Sequence, residues 1–456
     1  MEYLAITDTD AIHSYVFAPH ELRLIRGGSG LLDACNYKAE ALLSNSARRI
    51  FAGGGQVLAS FPSEQAAWIY CREVQQLYRE KTAVATISPA VFPYPSPGQF
   101  QKSLEALQFE MERAKQRRAA GHFNGGSPYF ASCESCGMNA CSSKSIPPGS
   151  KLICNACRLR EKKAMTLRHD NPHEPQSFEE IAKERRPQNY LALIYCDFDR
   201  LGRFLRENIQ GREDRYSALS ERVRGMVDHA IQKASAHVLQ QAAPGTGVCM
   251  PVPLVQGGDD AVLIMAAQDA IAFLWAFKAG IDEFWEMEDQ KPERHLGVKR
   301  PSFSAGMVLA HSHFPIAEFM RIAEELLKSA KRLTEQDAID YEVVTNSMVG
   351  EVLKPRKSFA RRRTAKPYQW EDFQALAESL RSLKQERAPA SKIRGLYHIA
   401  YQADLQAELE YLHLLSRLES RHREILRKPE AVGLGLWPPG SVGTRAADLA
   451  ELWEFV

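Results

Sequence analysis

A chain of 456 residues suits roughly three domains at about 150 residues each, and its 45% hydrophobic and 25% charged content excludes wholesale disorder, a collagen-like repeat and a fibrous rod. The formal net charge of +2 removes global charge as a sign of nucleic-acid binding, so any basic surface has to be local. Met1-Glu2-Tyr3 offers no basic leader and the apolar runs at Leu191 to Cys196 and Ala261 to Ala267 fall far short of a membrane span, so a cytoplasmic chain with no membrane partner is expected.

Residues 1–125 are expected to form a first, degenerate copy of a βαββαβ unit that recurs in full at residues 190–350. Four landmarks repeat in order: Asp8-Thr9-Asp10 with Asp197-Phe198-Asp199, Gly53-Gly54-Gly55-Gln56 with Gly257-Gly258-Asp259-Asp260, Phe92-Pro93 with Phe314-Pro315, and Ala114-Lys115 with Ala330-Lys331. Any one pair is chance-level, but ordered recurrence on corresponding elements points to internal duplication. The first copy's turn lacks both acids of the second, so it is expected to accept a nucleotide without organising metals. Gly27-Gly28-Ser29 offers backbone donors to such a nucleotide, or else forms a tight loop supporting the first helix.

Residues 126–189 are expected to be a zinc-ribbon-like insert and a connector. Five of the nine cysteines, Cys133, Cys136, Cys141, Cys154 and Cys157, crowd here, which in a reducing compartment points to metal before disulfides. Cys133-x-x-Cys136 and Cys154-x-x-Cys157 are separated by seventeen residues, the spacing of a four-thiolate zinc site, and four thiolates leave no open position for water, so the site is structural. Cys141 is a fifth thiol able to replace one of them. Ser177 and Glu180 form a capping box that should start a short helix.

Between Tyr190 and Asn346 the pattern predicts a strand at Tyr190 to Cys196, a long helix within Arg203 to Ala242, and strands at Pro251 to Gln256 and Ala261 to Met265. A helix near Ala267 to Trp285, a strand at Phe303 to Ala310, a helix from Pro315 and a strand at Tyr341 to Thr345 follow. Without the extra helix this is the order of a ferredoxin-like or palm domain. Phe319, Ile322, Ala323, Leu326, Leu327 and Ala330 draw a full helical stripe behind Pro315, and His311 and His313 are expected in a turn. Residues 351–456 show helical spacing and no strand. Within them Lys354 to Lys366 holds seven Lys or Arg in thirteen residues, with Tyr368 and Trp370 beyond, which suits either RNA phosphate or a solvated loop. The fold class is therefore α+β: two ferredoxin-like palm domains, a zinc-ribbon-like insert and a C-terminal helical bundle.

Asp197, Asp259 and Asp260 fall at the ends of neighbouring strands in such a sheet, and Gly257-Gly258 makes the tight hairpin. Carboxylates gathered there repel one another unless a cation neutralises them, and hard oxygen donors suit Mg2+ or Mn2+. Two metals about 4 Å apart would bind a triphosphate and activate a hydroxyl for in-line attack. Lys331, on the flank of the late helix, adds a cation for the triphosphate.

The string from Leu254 to Ile264, LVQGGDDAVLI, with Phe303 to His311, Phe314-Pro315 and Ala323 to Lys331, closely resembles the large palm-domain subunit of type III CRISPR effector complexes, the Cas-ten family. Ile25 to Leu32 is similar to that family's first palm. The resemblance implies two palms, a zinc element between them and a C-terminal helical domain, acting with guide RNA and other effector subunits to turn ATP into cyclic oligoadenylates when target RNA binds. It implies Asp197, Asp259 and Asp260 as metal ligands, Lys331 as the triphosphate contact, and Phe198, Gly257 and Gly258 at the nucleotide. Two departures matter. Tyr3 begins the first palm strand with no His-Asp nuclease domain ahead of it, and His169-Asp170 stands in the connector without further histidines, so no DNase activity is expected. Phe198 stands where the family often has glycine. Two other readings stay open: a free-standing cyclase making cyclic dinucleotides or short oligonucleotides, and a catalytically silent RNA-binding scaffold.

Overall fold

The computed structural model describes residues 1–119, 131–139, 141, 151–171, 174–183, 185–241, 249–290, 296–333, 335–345, 353–354, 356, 362–438 and 443–456. The first unit runs β1 (Glu2–Thr9), α1 (Ile12–Val16), α2 (Leu22–Ala41), β2 (Arg48–Gly53), β3 (Gln56–Phe61), α3 (Glu64–Thr82), β4 (Ile87–Tyr94) and α4 (Phe100–Ala119). Its antiparallel sheet has the order β2-β3-β1-β4, the ferredoxin-like arrangement. The insert contributes α5 (Asn155–Asp170) and the connector α6 (Phe178–Ala182). The cap expected there forms, with Ser177 Oγ accepting from Glu180 N, while the Glu180 carboxylate reaches one residue further back and accepts from Gln176 N at 2.7 Å.

The second unit runs β5 (Tyr190–Phe198), α7 (Leu201–Asn208), α8 (Glu213–Gln241), β6 (Val252–Gly257), β7 (Asp260–Ala266), α9 (Ala270–Asp289), β8 (Phe303–His311), α10 (Ile316–Ala330) and β9 (Ala338–Val343). The remaining elements are β10 (Tyr368–Gln369), α11 (Trp370–Gln385), α12 (Ala390–Ala400), α13 (Asp404–Ser416), α14 (Ser420–Arg427) and α15 (Ala446–Leu452). The second sheet has the order β10-β9-β8-β5-β7-β6, so the four strands β8-β5-β7-β6 repeat the first sheet and β9 adds in parallel to β8.

Alternation along β5 explains how helices cover both faces. Ala192, Ile194, Cys196 and Phe198 join α8, α9, α4 and the C-terminal helices in one core. Leu191, Leu193 and Tyr195 join α2, α3 and α10 in the other. Both cores run across the two units, so neither palm has a private interior.

The duplication holds in register. Asp8 lies opposite Gln56 and Ser88, as Asp197 lies opposite Asp260 and Ser304. Lys115 follows Ser88 at the interval at which Lys331 follows Ser304, and each lysine's Nζ donates to the corresponding aspartate, Asp8 or Asp197. One landmark was misplaced: by this register Phe92 matches Val308, not Phe314. Phe92-Pro93 lies inside β4, where an edge strand tolerates prolines that a central strand would reject.

The long helix expected within Arg203 to Ala242 is α8, and α7 is set off from it where Gln210 and Gly211 take positive φ of 52° and 72°. Two further expectations are corrected. The C-terminal part does contribute a strand, β10, paired with β9. Gly27-Gly28-Ser29 is neither a loop nor a nucleotide cradle: it sits buried inside α2, where a Cβ on Gly27 would overlap the Arg160 carbonyl of α5. The glycine admits a second helix rather than a phosphate. The boundaries at 125/126 and 350/351 lie outside the described residues. No described helix is long and apolar enough to cross a membrane.

Candidate active site and zinc centre

Asp197 and Asp260 face each other across the β5–β7 pair, and Asp259 precedes Asp260 at the hairpin tip. Lys331, the C-cap of α10, donates from Nζ to Asp197 Oδ2 and approaches the Phe198 carbonyl at 3.5 Å. Burial raises the Asp197 pKa; Lys331 opposes that rise, while Asp260 and Asp199 add to it. Burial, reinforced by the charges of Asp197 and Asp260, pushes Asp259 up to about 7. The acids are thus near enough to repel, but among the described residues no acidic trio converges as closely as the cysteine set does. A hard divalent cation fits the donor chemistry and would relieve the crowding. The Phe198 ring is turned into the core against Phe303, with centroids 6.4 Å apart, so only the backbone of that residue is left for a ligand.

Several site residues went unread in the sequence. Asp199 accepts from Ser302 Oγ at 2.9 Å and Ser304 Oγ at 2.8 Å; its place in the repeated Asp-x-Asp triplet was the available signal. His13, from α1 of the first unit, reaches the second: Nδ1 lies 3.3 Å from Glu324 Oε1 and Nε2 3.7 Å from Asp260 Oδ2. Burial depresses the His13 imidazolium, but Asp260 and Glu324 together outweigh it and raise the pKa. Tyr195 Oη contacts Asp260 Oδ2 at 3.4 Å. A lone histidine far along the chain carries no pattern that could have announced this.

The two Gly-rich hairpins meet tip to tip. A Cβ on Gly54 would lie 3.2 Å from Gly258 N, and one on Gly258 would lie 3.3 Å from Gly54 Cα. Beside the tips, a cavity of about 400 Å3 opens between α2 and α8, lined by Asn36, Gln56, Arg224 and Gln256 among others. A larger cleft of about 830 Å3 is bordered by Asp199, Arg200, Arg203, Lys299, Ser302 and Lys331.

The sulphurs of Cys133, Cys136, Cys154 and Cys157 are buried and lie within 4.8 Å of one another. Backbone and amide donors reach two of them: Cys154 N lies 3.3 Å from Cys133 Sγ, and Asn139 Nδ2 3.6 Å from Cys136 Sγ. This donor set fits zinc. Cys141 is buried nearby but outside the set.

The basic run is largely turned inward where it is described. Arg356 pairs with Asp340 at 2.8 Å and Glu342 at 2.5 Å, Arg363 with Asp404 at 2.9 Å, and Lys366 with Glu451 at 2.6 Å. Tyr368 and Trp370 are buried, so neither ring is free to stack on a base; residues 355 and 357–361 lie outside the described set. His311 and His313 stand around the turn after β8, with stacked rings 5.1 Å apart. His169 and Asp170 end α5, exposed.

Residues 190–340 match the family model of the Cas10/Cmr2 second palm domain. No curated protein matches the chain. Among solved structures, a Csm1–Csm4 cassette in complex with cA3 superposes with a TM-score of 0.60 at 13% identity, over 100% of this chain and 70% of that one. Csm1 of T.onnurineus gives 0.59 at 13%, over 99% and 68%, and a Csm1–Csm4 cassette with one ATP gives 0.58 at 15%, over 100% and 70%. The chain spans 62% of a further Csm1 chain, solved with AMPPNP.

Proposed function

We propose, from the match of residues 190–340 to the Cas10/Cmr2 second palm domain, that the chain is a metal-dependent nucleotidyltransferase that joins ATP into cyclic oligoadenylates as the large subunit of a type III CRISPR effector. The observation that carries the reading is the set Asp197, Asp259, Asp260 and Lys331, gathered at the strand ends of that domain against the Gly54 hairpin of its degenerate copy. Mg2+ or Mn2+ held by the three acids would supply charge neutralisation at the phosphates.

The protein's own groups do the rest. Lys331, with Arg200, Arg203 and Lys299 along the larger cleft, places cations where a triphosphate tail would lie. The glycines at 257 and 258 keep the hairpin low enough for the nucleotide backbone to approach. A ribose hydroxyl presented from the first palm's side attacks the α-phosphorus; the new phosphodiester forms, the bond to the β-phosphate breaks, and pyrophosphate leaves while the hydroxyl proton passes to water. Guide and target RNA and other effector subunits are the proposed partners. The ligands of the similar Csm1–Csm4 structures, ATP and cA3, support this choice of nucleotide and product.

The test is incubation with each radiolabelled nucleoside triphosphate and Mg2+, with and without guide and target RNA. ATP should be consumed into cyclic products, and Asp259→Ala/Asp260→Ala should lower the rate by about 10²- to 10³-fold or more while leaving the circular dichroism spectrum unchanged. Product formation by the double variant at the parental rate would sink the assignment. Product formed at full rate without RNA would move the reading to an autonomous cyclase.

A further inference from the structure

Arg160 is among the largest fully buried side chains of the chain and lies one helical turn beyond Cys157 on α5. Its Nη2 donates to the Tyr15 carbonyl at 2.5 Å, and its guanidinium carbon sits 4.2 Å from the centroid of the Tyr15 ring. Nε and Nη1 have no hydrogen-bond partner among the described residues. A guanidinium buried this way is costly unless neighbours compensate it, and the groups that receive it are the Tyr15 carbonyl and ring face, so the arginine ties α5 of the insert to α1. Gly27 makes the approach possible, since any side chain there would strike the Arg160 backbone.

Tyr15 in turn shares the five-residue α1 with His13. That helix begins at Ala11, which takes a positive φ of 46°, as Arg200 does (φ 49°) before α7. The repeat therefore equates His13 with Gly202, which faces open space. His13 instead crosses to the other palm, 3.3 Å from Glu324 and 3.7 Å from Asp260, with its ring edge-on to Tyr195 at 5.1 Å. The bridge exists on one side of the pseudo-dyad only.

We propose that the cysteine insert holds α1 through Arg160 and Tyr15, and that α1 holds His13 against Asp260 and Glu324, which makes Arg160 and His13 positioning residues for the acidic site. A carboxylate fixed by a neighbour meets a cation in one orientation, whereas a free one must be ordered on binding. The inference rests on reading Asp197, Asp259 and Asp260 as that cation site.

The test uses the full chain as Arg160→Met, Arg160→Lys, His13→Ala and His13→Gln, with three readouts: amide hydrogen exchange of residues 12–17, Mn2+ binding without nucleotide by electron paramagnetic resonance, and product formation. Arg160→Met should speed exchange in residues 12–17 about tenfold and weaken Mn2+ binding about tenfold, with Arg160→Lys between it and the parent. His13→Ala should weaken Mn2+ binding to the same degree, and His13→Gln, whose amide keeps a donor facing Asp260 and Glu324, should recover most of it. Loss of melting temperature with parental Mn2+ affinity in Arg160→Met would reduce the arginine to a structural strut and overturn the proposal. So would unchanged exchange in residues 12–17. Retention of Mn2+ binding and product by Asp259→Ala/Asp260→Ala would instead strike the site reading, and the exchange response to Arg160→Met would still report the mechanical link.

Discussion

Asp259 is the residue on which the site's electrostatics converge. Its folded pKa of about 7 stands well above the ordinary aspartate value of about 3.9, so the fold favours the protonated form. That contribution is fully present below the unfolded pKa and is lost as pH rises through the folded one. In chelator-treated protein, stability should therefore fall between about pH 4 and 7, and Asp259→Asn should fall less across that window, since Asp197 is raised as well. Melting curves against pH read this directly, and saturating Mn2+ should close the gap for the parent at pH 8. Parallel curves for parent and variant in chelator would refute the assignment of strain to Asp259.

At the scale of elements, the strands and the late helix were legible because burial writes its period into the chain: alternate residues of β5 enter different cores, and the Phe319 to Ala330 stripe faces the sheet. Turn-rich composition misled where tertiary contact decides. Gly27-Gly28 looked like a loop but is a helix surface pared down for α5, and Phe92-Pro93 looked like a helix start but is edge strand. The basic run Lys354 to Lys366 was read by charge alone, and no sequence count shows that its partners lie on β9, α13 and α15. Of the site, the acids and Lys331 were legible through the repeat, and His13 was not, since nothing local distinguishes a histidine that reaches another unit. Lys366, buried with Glu451 at 2.6 Å and Asp448 at 3.9 Å, gives the inward reading a test. Lys366→Met should cost about 3–5 kcal/mol, the penalty of stranding buried carboxylates, as measured by urea unfolding. A variant of parental stability with weakened RNA binding would restore the phosphate-contact reading.

At the scale of the whole molecule, the insert and the two palms form one mechanical system. The cysteine set should bring one zinc per chain, and Cys133→Ser or Cys154→Ser should expose the insert to limited proteolysis. Protein purified without chelator that contained no zinc would contradict the centre.

The palms themselves are unequal, and the inequality is built into the turns. Gly54 and Gly55 both take positive φ, 60° and 81°, the sign pattern of a type I′ hairpin, whereas in the second palm only Gly258 does, at 44°, as in type II′. An acid can stand at 259 because its backbone is ordinary. At 55 it would be strained: φ is positive, a Cβ would lie 3.0 Å from Thr9 Oγ1, and the Gly55 carbonyl is fixed by both Thr9 N and Thr9 Oγ1 at 3.0 and 2.9 Å. Loss of the acids in the first palm is therefore bound up with a change of turn, and restoring the side chains alone should not restore a metal site, even though Asp8 and Lys115 keep their places. Gly55→Asp/Gln56→Asp should lose about 1–3 kcal/mol to backbone strain and bind no more Mn2+ per chain than the parent. Extra Mn2+ binding at undiminished stability would show that the first palm is silent by side chain only, and that its hairpin geometry does not set the division between the two halves.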